Sequence, residues 1–299
     1  MTAGAPPDIS VVVVNWNTSE MLARCLASLE TSRGTVGLEV IVVDNGSTDG
    51  SLELVRRAYP TVQLIANPDN RGFSAANNQG IKGCSGRYIF LLNSDTEVEG
   101  DSLRALVDYG DAHTEAGIMG PRLLNSDGTL QPSGGRFPTL MSTMFDLAGA
   151  GRYGTRRDYS KPAVVDEVSG AAMLVRREVI EQVGSLDEAF VWGYEDLDLC
   201  LRAHRAGWQV HYVPAATVRH EWGASRRLAP TATVLMAING RRYYFRKHYG
   251  PISSALVIAA TFAAHLLRSV VFAVGGLINR RLLERAAIEW EIVRKMIAR

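Results

Sequence analysis

Tyr88-Ile89-Phe90-Leu91-Leu92-Asn93-Ser94-Asp95-Thr96-Glu97 decides how the rest of the chain is read. The first five residues predict a buried strand, and the run stops at an Asn-x-Asp triplet, so Asp95 falls at a strand's carboxyl end. Open α/β sheets bind their ligands there. Oxygen ligands on a short turn suit a hard cation such as Mg²⁺ or Mn²⁺, which takes one or two protein carboxylates and completes its shell with substrate phosphate. Taken alone, the triplet reads equally as an ordinary turn.

Upstream, Ile9 to Val14 is a β-branched run closing on Asn15-Trp16-Asn17, and a helical face follows with Leu22, Cys25, Leu26 and Leu29. Glu39 to Val43 repeats the pattern and ends in Asp44-Asn45-Gly46-Ser47-Thr48-Asp49-Gly50, before a helix through Leu52, Leu54 and Val55. A short strand at Val62 to Ile65 leads into Asn67-Pro68-Asp69-Asn70-Arg71-Gly72-Phe73 and a helix of small residues, Ala75 to Lys82. Wholly apolar strands alternating with helices predict an α/β fold, with a mostly parallel sheet covered on both faces. A dinucleotide-binding domain would need Gly-x-Gly-x-x-Gly after its first strand, and Asn15-Trp16-Asn17 has no glycine. A nucleotide here would be gripped by side chains: Asp44 could accept a base N–H and Trp16 could stack, although a turn cap and core filling describe the same two residues.

Downstream, a helix from Ser102 to Thr114 and a short strand at Ile118-Met119-Gly120 precede a Gly-, Pro-, Ser- and Arg-rich stretch. Residues 121–166 read as a flexible loop over the site, with Arg136, Arg152, Arg156 and Arg157 as anion contacts or as solvated arginines. Val168 to Val175 reads as a strand entered through the small Gly170 and Ala171, which let a ligand approach the backbone closely. A second acidic cluster, Tyr194-Glu195-Asp196-Leu197-Asp198, opens a helix that Gly207 ends. The helix dipole favours acids in that first turn without any function. Trp192 and Tyr194 beside them predict partial desolvation, which raises a carboxylate's proton affinity as a general base requires. Val210 to Pro214 reads as a last strand, with Thr217 to Arg227 a polar loop in which His220 could hold a metal and Ser225, Arg226 and Arg227 a diphosphate.

Composition limits the function classes. The chain has 299 residues, 46% of them hydrophobic, and a net charge of +1, which gives no case for nucleic acid as a partner. Cys25, Cys84 and Cys200 are isolated and odd in number, suggesting neither disulfides nor a thiolate metal site, in keeping with a reducing compartment. The first residues show no basic region followed by an apolar core, so no signal peptide is expected. Charge is uneven: from Gly240 to Arg299 there are 11 Lys/Arg against 3 Asp/Glu. The expected division is a catalytic domain over 1–239 (a nucleotide and metal half over 9–120, the loop, and a second half over 167–239) and a basic amphipathic helical segment over 240–299. His265 and Arg268 interrupt the apolar run from Pro251 to Asn279, which argues against a clean membrane span and for peripheral contact with an anionic leaflet. Packing on the preceding domain or at a homodimer seam is the other reading.

Taken in order, Val-Val-Asn-Trp-Asn (13–17), Val-Asp-Asn-Gly-Ser-Thr-Asp-Gly (43–50), Asn-Arg-Gly-Phe with Asn77 (70–77), Leu-Asn-Ser-Asp-Thr-Glu (92–97), Gly-Ala-Ala-Met-Leu-Val-Arg-Arg (170–177), Tyr-Glu-Asp-Leu-Asp-Leu (194–199) and His-Glu-Trp-Gly (220–223) resemble family 2 glycosyltransferases. The resemblance is to the GT-A fold and, within it, to the bacterial rhamnosyltransferase-like branch. It implies a Rossmann-like mixed sheet flanked by helices, with a C-terminal helical extension. For the site it implies nucleotide contacts from Asn15, Trp16, Asn17, Asp44, Asn45, Arg71, Asn77 and Ser94, with Asp44 at the base. It also implies Asp95 and His220 on a divalent metal, sugar contacts from Gly170, Ala171, Trp192 and Glu195, diphosphate contacts from Ser225, Arg226 and Arg227, and Asp196 as catalytic base. The implied activity is inverting transfer of a sugar, rhamnose first, from a nucleotide diphosphate to a glycan or polyprenyl-diphosphate-linked acceptor, at the cytoplasmic face of the cell membrane. Donors carrying N-acetylglucosamine or galactofuranose stay open, as does a non-catalytic nucleotide-sugar-binding subunit. One position departs from the family's Asp-x-Asp signature: its first aspartate is Asn93 here.

Overall fold

The computed structural model describes residues 6–32, 34–148, 158–190, 192–221 and 230–298. The elements run β1 (Ile9–Asn15), α1 (Ser19–Glu30), β2 (Leu38–Asp44), α2 (Ser51–Ala58), β3 (Gln63–Ala66), α3 (Phe73–Gly83), β4 (Tyr88–Asn93), β5 (Thr96–Glu99), α4 (Ser102–Ala112) and β6 (Ala116–Leu124). They continue with β7 (Leu130–Gln131), α5 (Leu140–Leu147), β8 (Ala163–Val165), β9 (Ala172–Arg176), α6 (Arg177–Val183), α7 (Glu195–Arg205), β10 (Gln209–His220), α8 (Pro230–Gly275) and α9 (Arg281–Ile297). The chain divides into two compact units, one of Met1–Phe137, Arg156–Glu188 and Glu195–Trp222, the other of Pro138–Thr155, Ala189–Tyr194 and Gly223–Arg299.

The first unit is built on a mixed sheet of order β3-β2-β1-β4-β9-β6-β10-β5. Strands β3, β2, β1 and β4 are mutually parallel, as the apolar strand-helix alternation predicts. The exception that shapes the site is β9, which lies antiparallel between β4 and β6 and so carries its entry, Gly170 and Ala171, to the carboxyl end of β4. Alternation along the strands fills two cores. Val11 and Val13 of β1, with Phe90 and Leu92 of β4, meet α1 and α4 on one face. Val12, Ile89 and Leu91 meet α3 and α7 on the other. Burial of each such side chain contributes about 1.5–3 kcal/mol, so this sheet is a stiff base for the loops at its carboxyl edge. Cys25, Cys84 and Cys200 are free and buried, and burial pushes the Cys25 thiol up to about 12.

Two expectations are corrected. Pro214 does not end the last strand, because a register irregularity between Val213 and Thr217 absorbs it, and β10 runs on to His220. Its far half pairs antiparallel with β5, which sets His220 opposite Thr96 rather than in a polar loop. Residues 121–166 are not one irregular flap either: the end of β6, β7, α5 and β8 lie within them, and β8 pairs with β10. Arg152, Arg156, Arg157, Ser225, Arg226 and Arg227 fall outside the described residues.

The second unit is helical. Leu235 and Ile238 of α8 pack with Ile292 of α9, and Phe190 meets the Tyr243 ring at 4.8 Å. At Gly250, whose φ of 87° suits glycine, α8 is interrupted, and Pro251 restarts the helix. By length and composition Thr231–Gly275 could cross a membrane, yet this break and the His265 and Arg268 side chains fall within it.

Candidate active site

At the carboxyl edge β1 and β2 end in register, Asn15 beside Asp44. The Asp44 carboxylate is 1% exposed; it accepts from Asn15 Nδ2 at 2.8 Å and from the Ser47 amide at 2.9 Å. Asn15 in turn accepts from Thr18 Oγ1 at 2.7 Å, and Thr18 meets Ser94 at 2.8 Å. Asn45 is likewise buried, tying the Arg71 amide and Asn70 into one turn. Asn77 donates to the Phe73 carbonyl of its own helix. Of these expected nucleotide residues, Asn15, Asp44, Asn45 and Arg71 bond one another at this edge, Ser94 joins them through Thr18, and Asn77 is bonded within its own helix. Trp16, at 46% exposed, does not fill the core; with Asn17 and the exposed Arg71 it forms the accessible part of the set. Asn17 has a φ of 53°, a left-handed conformation that asparagine tolerates better than most residues, and its amide donates to Ser47 Oγ at 2.9 Å. Thr18 and Ser47 are the residues sequence reasoning passed over.

The turn after β4 is clamped at both ends. The Asn93 amide donates to the Ala171 carbonyl at 3.0 Å, and the Glu221 amide to the Asp95 carbonyl at 2.9 Å. This second bond, with the β5–β10 pairing, brings His220 to Asp95: His220 Nε2 lies 3.4 Å from Asp95 Oδ1, both side chains largely buried. The opposite ring nitrogen, Nδ1, meets Gln131 Oε1 at 2.8 Å. An amide oxygen can only accept, so Nδ1 carries the hydrogen, which leaves Nε2 as the nitrogen able to offer a lone pair toward the carboxylate. Two acceptors that face each other need a cation or a proton between them.

A divalent ion fits this chemistry. Asn93 Oδ1 is buried and finds no hydrogen-bond partner among the described residues. Leaving such an oxygen unmet costs about 1–3 kcal/mol, which coordination would offset. No three His, Cys, Asp or Glu side chains converge among the described residues, so the protein offers a partial shell of the kind that substrate phosphate completes. A polar cavity of about 230 Å³ lies beside the turn, lined by Arg24, Asp95, Glu97, Arg219 and Glu221 among others. Arg24 bridges Glu97 at 3.1 Å and Glu221 at 3.2 Å, tying α1 to the two strand ends that carry the site.

Asp196 stands in the first turn of α7. Its Oδ2 accepts from the Gly170 amide at 2.9 Å and its Oδ1 from the Leu197 amide at 2.8 Å. Burial raises its pKa, opposed by these two amides. A side chain at Gly170 would meet Asp196 Cβ at 3.2 Å, so the glycine is what lets the backbone come this close. Because Ala171 follows Gly170 and bonds Asn93, Asp196 and Asp95 are joined through two backbone contacts and share one edge of the sheet. Glu195 is buried beside Asp196. Trp192 belongs to the second unit, where it lines a different cavity.

The chain is similar to several known proteins. N-acetylglucosaminyl-diphospho-decaprenol L-rhamnosyltransferase of Mycobacterium tuberculosis is 32% identical over 79% of this chain and 83% of its own length. Low-salt glycan biosynthesis hexosyltransferase Agl10 of Haloferax volcanii is 29% identical over 66% of this chain and 62% of its own. Among solved structures, the mannosyltransferase PcManGT from Pyrobaculum calidifontis, in complex with GDP-Man and Mn²⁺, superposes with a TM-score of 0.59 at 17% identity, over 98% of this chain and 89% of that one. GalNAc-T7 with UDP, GalNAc and Mn²⁺ gives 0.55 at 16%, over 73% and 43%. At such identities the likeness speaks to the fold, the GT-A arrangement. Residues 10–184, from the first strand through the Asp95 turn to the end of α6, match the model of Glycosyl transferase family 2, and to that family the chain belongs.

Proposed function

We propose that this glycosyltransferase moves a hexosyl group, L-rhamnose as the first candidate, from a nucleotide diphosphate to a polyprenyl-diphosphate-linked glycan with inversion. The observation that carries the reading is the Asp95–Asn93–Ala171–Gly170–Asp196 relay, which keeps an acidic cation turn and a base of raised proton affinity on one edge. The exposed Trp16 and Arg71 and the half-buried Asn17 are the groups available to the donor nucleotide, and the buried Asp44 supports their turn. With each Asp196 oxygen holding one backbone amide, the carboxylate keeps lone pairs for an acceptor hydroxyl. It takes the hydroxyl proton as that oxygen bonds to the anomeric carbon, while the bond from that carbon to the diphosphate breaks and the nucleotide diphosphate leaves. One displacement from the face opposite the leaving group inverts the centre. Asp95, His220 and the Asn93 amide oxygen would hold Mg²⁺ or Mn²⁺, whose contribution when bound is to neutralise charge on the departing diphosphate.

The lipid-linked acceptor is supported by the M. tuberculosis relative, whose name specifies such a substrate, and by apolar residues exposed on α8, Leu267 at 64%, Val271 at 56% and Val274 at 62% among them. These support a position against a membrane surface, for which we propose the cytoplasmic face. The test is a panel of nucleotide sugars offered with an N-acetylglucosaminyl-diphospho-polyprenol. Rhamnose incorporation supports the proposal; release of no nucleotide from any donor, with Mn²⁺ present, would overturn it.

A further inference from the structure

The second unit encloses a cavity of about 450 Å³ between α5, the Trp192–Tyr194 segment, α8 and α9. Its walls are of two kinds. Leu147, Val234, Ile238 and Ile292 make one side apolar, and Arg241 and Arg268 bring guanidinium groups to the same space. Neither arginine is spent on a carboxylate among the described residues. Arg241 donates to Tyr194 Oη at 2.9 Å and to Thr261 Oγ1 at 3.3 Å, and Arg268 to the Leu147 carbonyl at 3.3 Å. These acceptors are neutral, so they aim the two groups without cancelling their charge. Of the acids that line the cavity, Glu289 is held by a hydrogen bond to His265 Nδ1 at 2.5 Å, and among the described residues neither it nor Asp146 forms an ion pair with the two guanidiniums.

An apolar pocket with two oriented cations suits an amphipathic anion, and its size is that of small-molecule sites, about 300–1,000 Å³. The helix that supplies Arg268 also exposes Leu267, Val270 and Val271, an apolar surface on the same element. We infer that this cavity is a subsite for an isoprenoid diphosphate: Arg241 and Arg268 hold the diphosphate, and the first isoprene units lie along the apolar wall. The inference rests on the lipid-linked acceptor proposed above and assigns the lipid end of that acceptor to the second unit. The sequence adds a connection, since Tyr194, which holds Arg241, stands two residues before Asp196.

Calorimetry on the full chain tests it, with farnesyl diphosphate as probe and farnesol, inorganic diphosphate and phosphatidylglycerol micelles as comparators. Farnesyl diphosphate is expected to bind saturably, with farnesol and inorganic diphosphate each about tenfold weaker or worse, since each lacks one of the two recognised parts. The double variant Arg241→Gln/Arg268→Gln should lose about 30-fold in affinity, from two charge-assisted contacts. Ala237→Trp, which fills the cavity and leaves its charges, should also block the probe, whereas Arg285→Gln on the exposed surface of α9 should not. Unchanged affinity in both cavity variants, displacement of the probe by a nucleoside diphosphate, or equal binding of phosphatidylglycerol would overturn the inference. Transfer assays separate it from the functional proposal. If the native enzyme glycosylates a lipid-linked acceptor but Arg241→Gln/Arg268→Gln leaves the acceptor KM unchanged, the subsite fails and the function stands. Probe binding that needs both arginines, in an enzyme that transfers nothing to lipid-linked acceptors, supports the subsite and removes the function.

Discussion

Gly170 donates its backbone N–H to Asp196 Oδ2 at 2.9 Å, and a side chain at position 170 would meet Asp196 Cβ at 3.2 Å. Asp196, the proposed base, is thus held by a contact that only a residue without a Cβ makes unhindered, at the entry to the antiparallel strand beside β4. Gly170→Ala is expected to push the carboxylate aside by a few tenths of an ångström. Because reaction geometry is tight, kcat should fall about tenfold or more with donor KM nearly unchanged. A larger change in donor KM than in kcat would mean that position 170 serves donor binding instead.

Burial raises the Asp196 pKa, and a general base works only when deprotonated. As pH falls through the raised value the base gains its proton, so the acidic limb of the kcat/KM profile should lie above the ordinary carboxylate range. Asp196→Asn should cost about 10²–10⁴ in kcat and abolish that limb, while nucleotide binding by calorimetry stays close to native. Equal loss of turnover and nucleotide binding would remove Asp196 from the role of base.

Much of this site was legible because its backbone elements are strongly patterned. Up to their last residue, the runs ending at Asn15, Asp44 and Asn93 are apolar at every buried position except Ser10, and Leu199, Cys200 and Ala203 fix α7 and hence the first turn that holds Asp196. The rest depended on contacts that carry no periodic signal. Pro214 reads as a strand end until the bulge beside it is seen, and Thr96–Glu99 is too short and polar to announce a strand. Gln131 sits on a two-residue strand, so nothing along the chain marks it as the partner of His220. The asparagines of the nucleotide motifs look like ligand contacts in a sequence, yet in three dimensions Asn15, Asn45 and Asn77 bond chiefly to protein groups.

Asn93 supplies the clearest test of the cation turn. Its Oδ1 is buried without a partner, two residues before Asp95. Asn93→Asp adds a negative charge there, which should tighten Mn²⁺ binding about tenfold in the presence of a nucleoside diphosphate, because ligand charge sets affinity at such sites. With chelator present the same variant should melt at a lower temperature than native protein, since two carboxylates then repel one another. Asp95→Ala should lose the metal-dependent part of donor binding altogether. Calorimetry with and without Mn²⁺ reads all three, and identical curves for native and Asn93→Asp protein would show that position 93 does not face the ion.

In the proposed cation site Gln131 orients rather than ligates. By accepting from His220 Nδ1 it keeps the Nε2 lone pair on Asp95, and loss of such an orienting partner commonly costs about 10–100-fold in metal affinity or activity. Gln131→Ala should therefore raise the Mn²⁺ concentration needed for half-maximal turnover by that factor. Gln131→Glu, which keeps an acceptor in place, should retain most of the activity. If both variants behave alike, the ring is held by something other than this hydrogen bond.

Exposed apolar residues on α8 and the 11 Lys/Arg against 3 Asp/Glu from Gly240 onward suit the proposed contact with a surface that is both apolar and acidic. Anionic liposomes offer both. The native chain should float with phosphatidylglycerol vesicles and be partly released by high salt, because attraction to charged lipid is screened while apolar insertion is not. Leu267→Asp/Val271→Asp removes two exposed apolar side chains and should abolish flotation, leaving transfer to a water-soluble acceptor analogue intact. Binding that persists in the double aspartate variant, or that resists alkaline carbonate extraction in the native protein, would replace surface contact by an anchor that spans the bilayer.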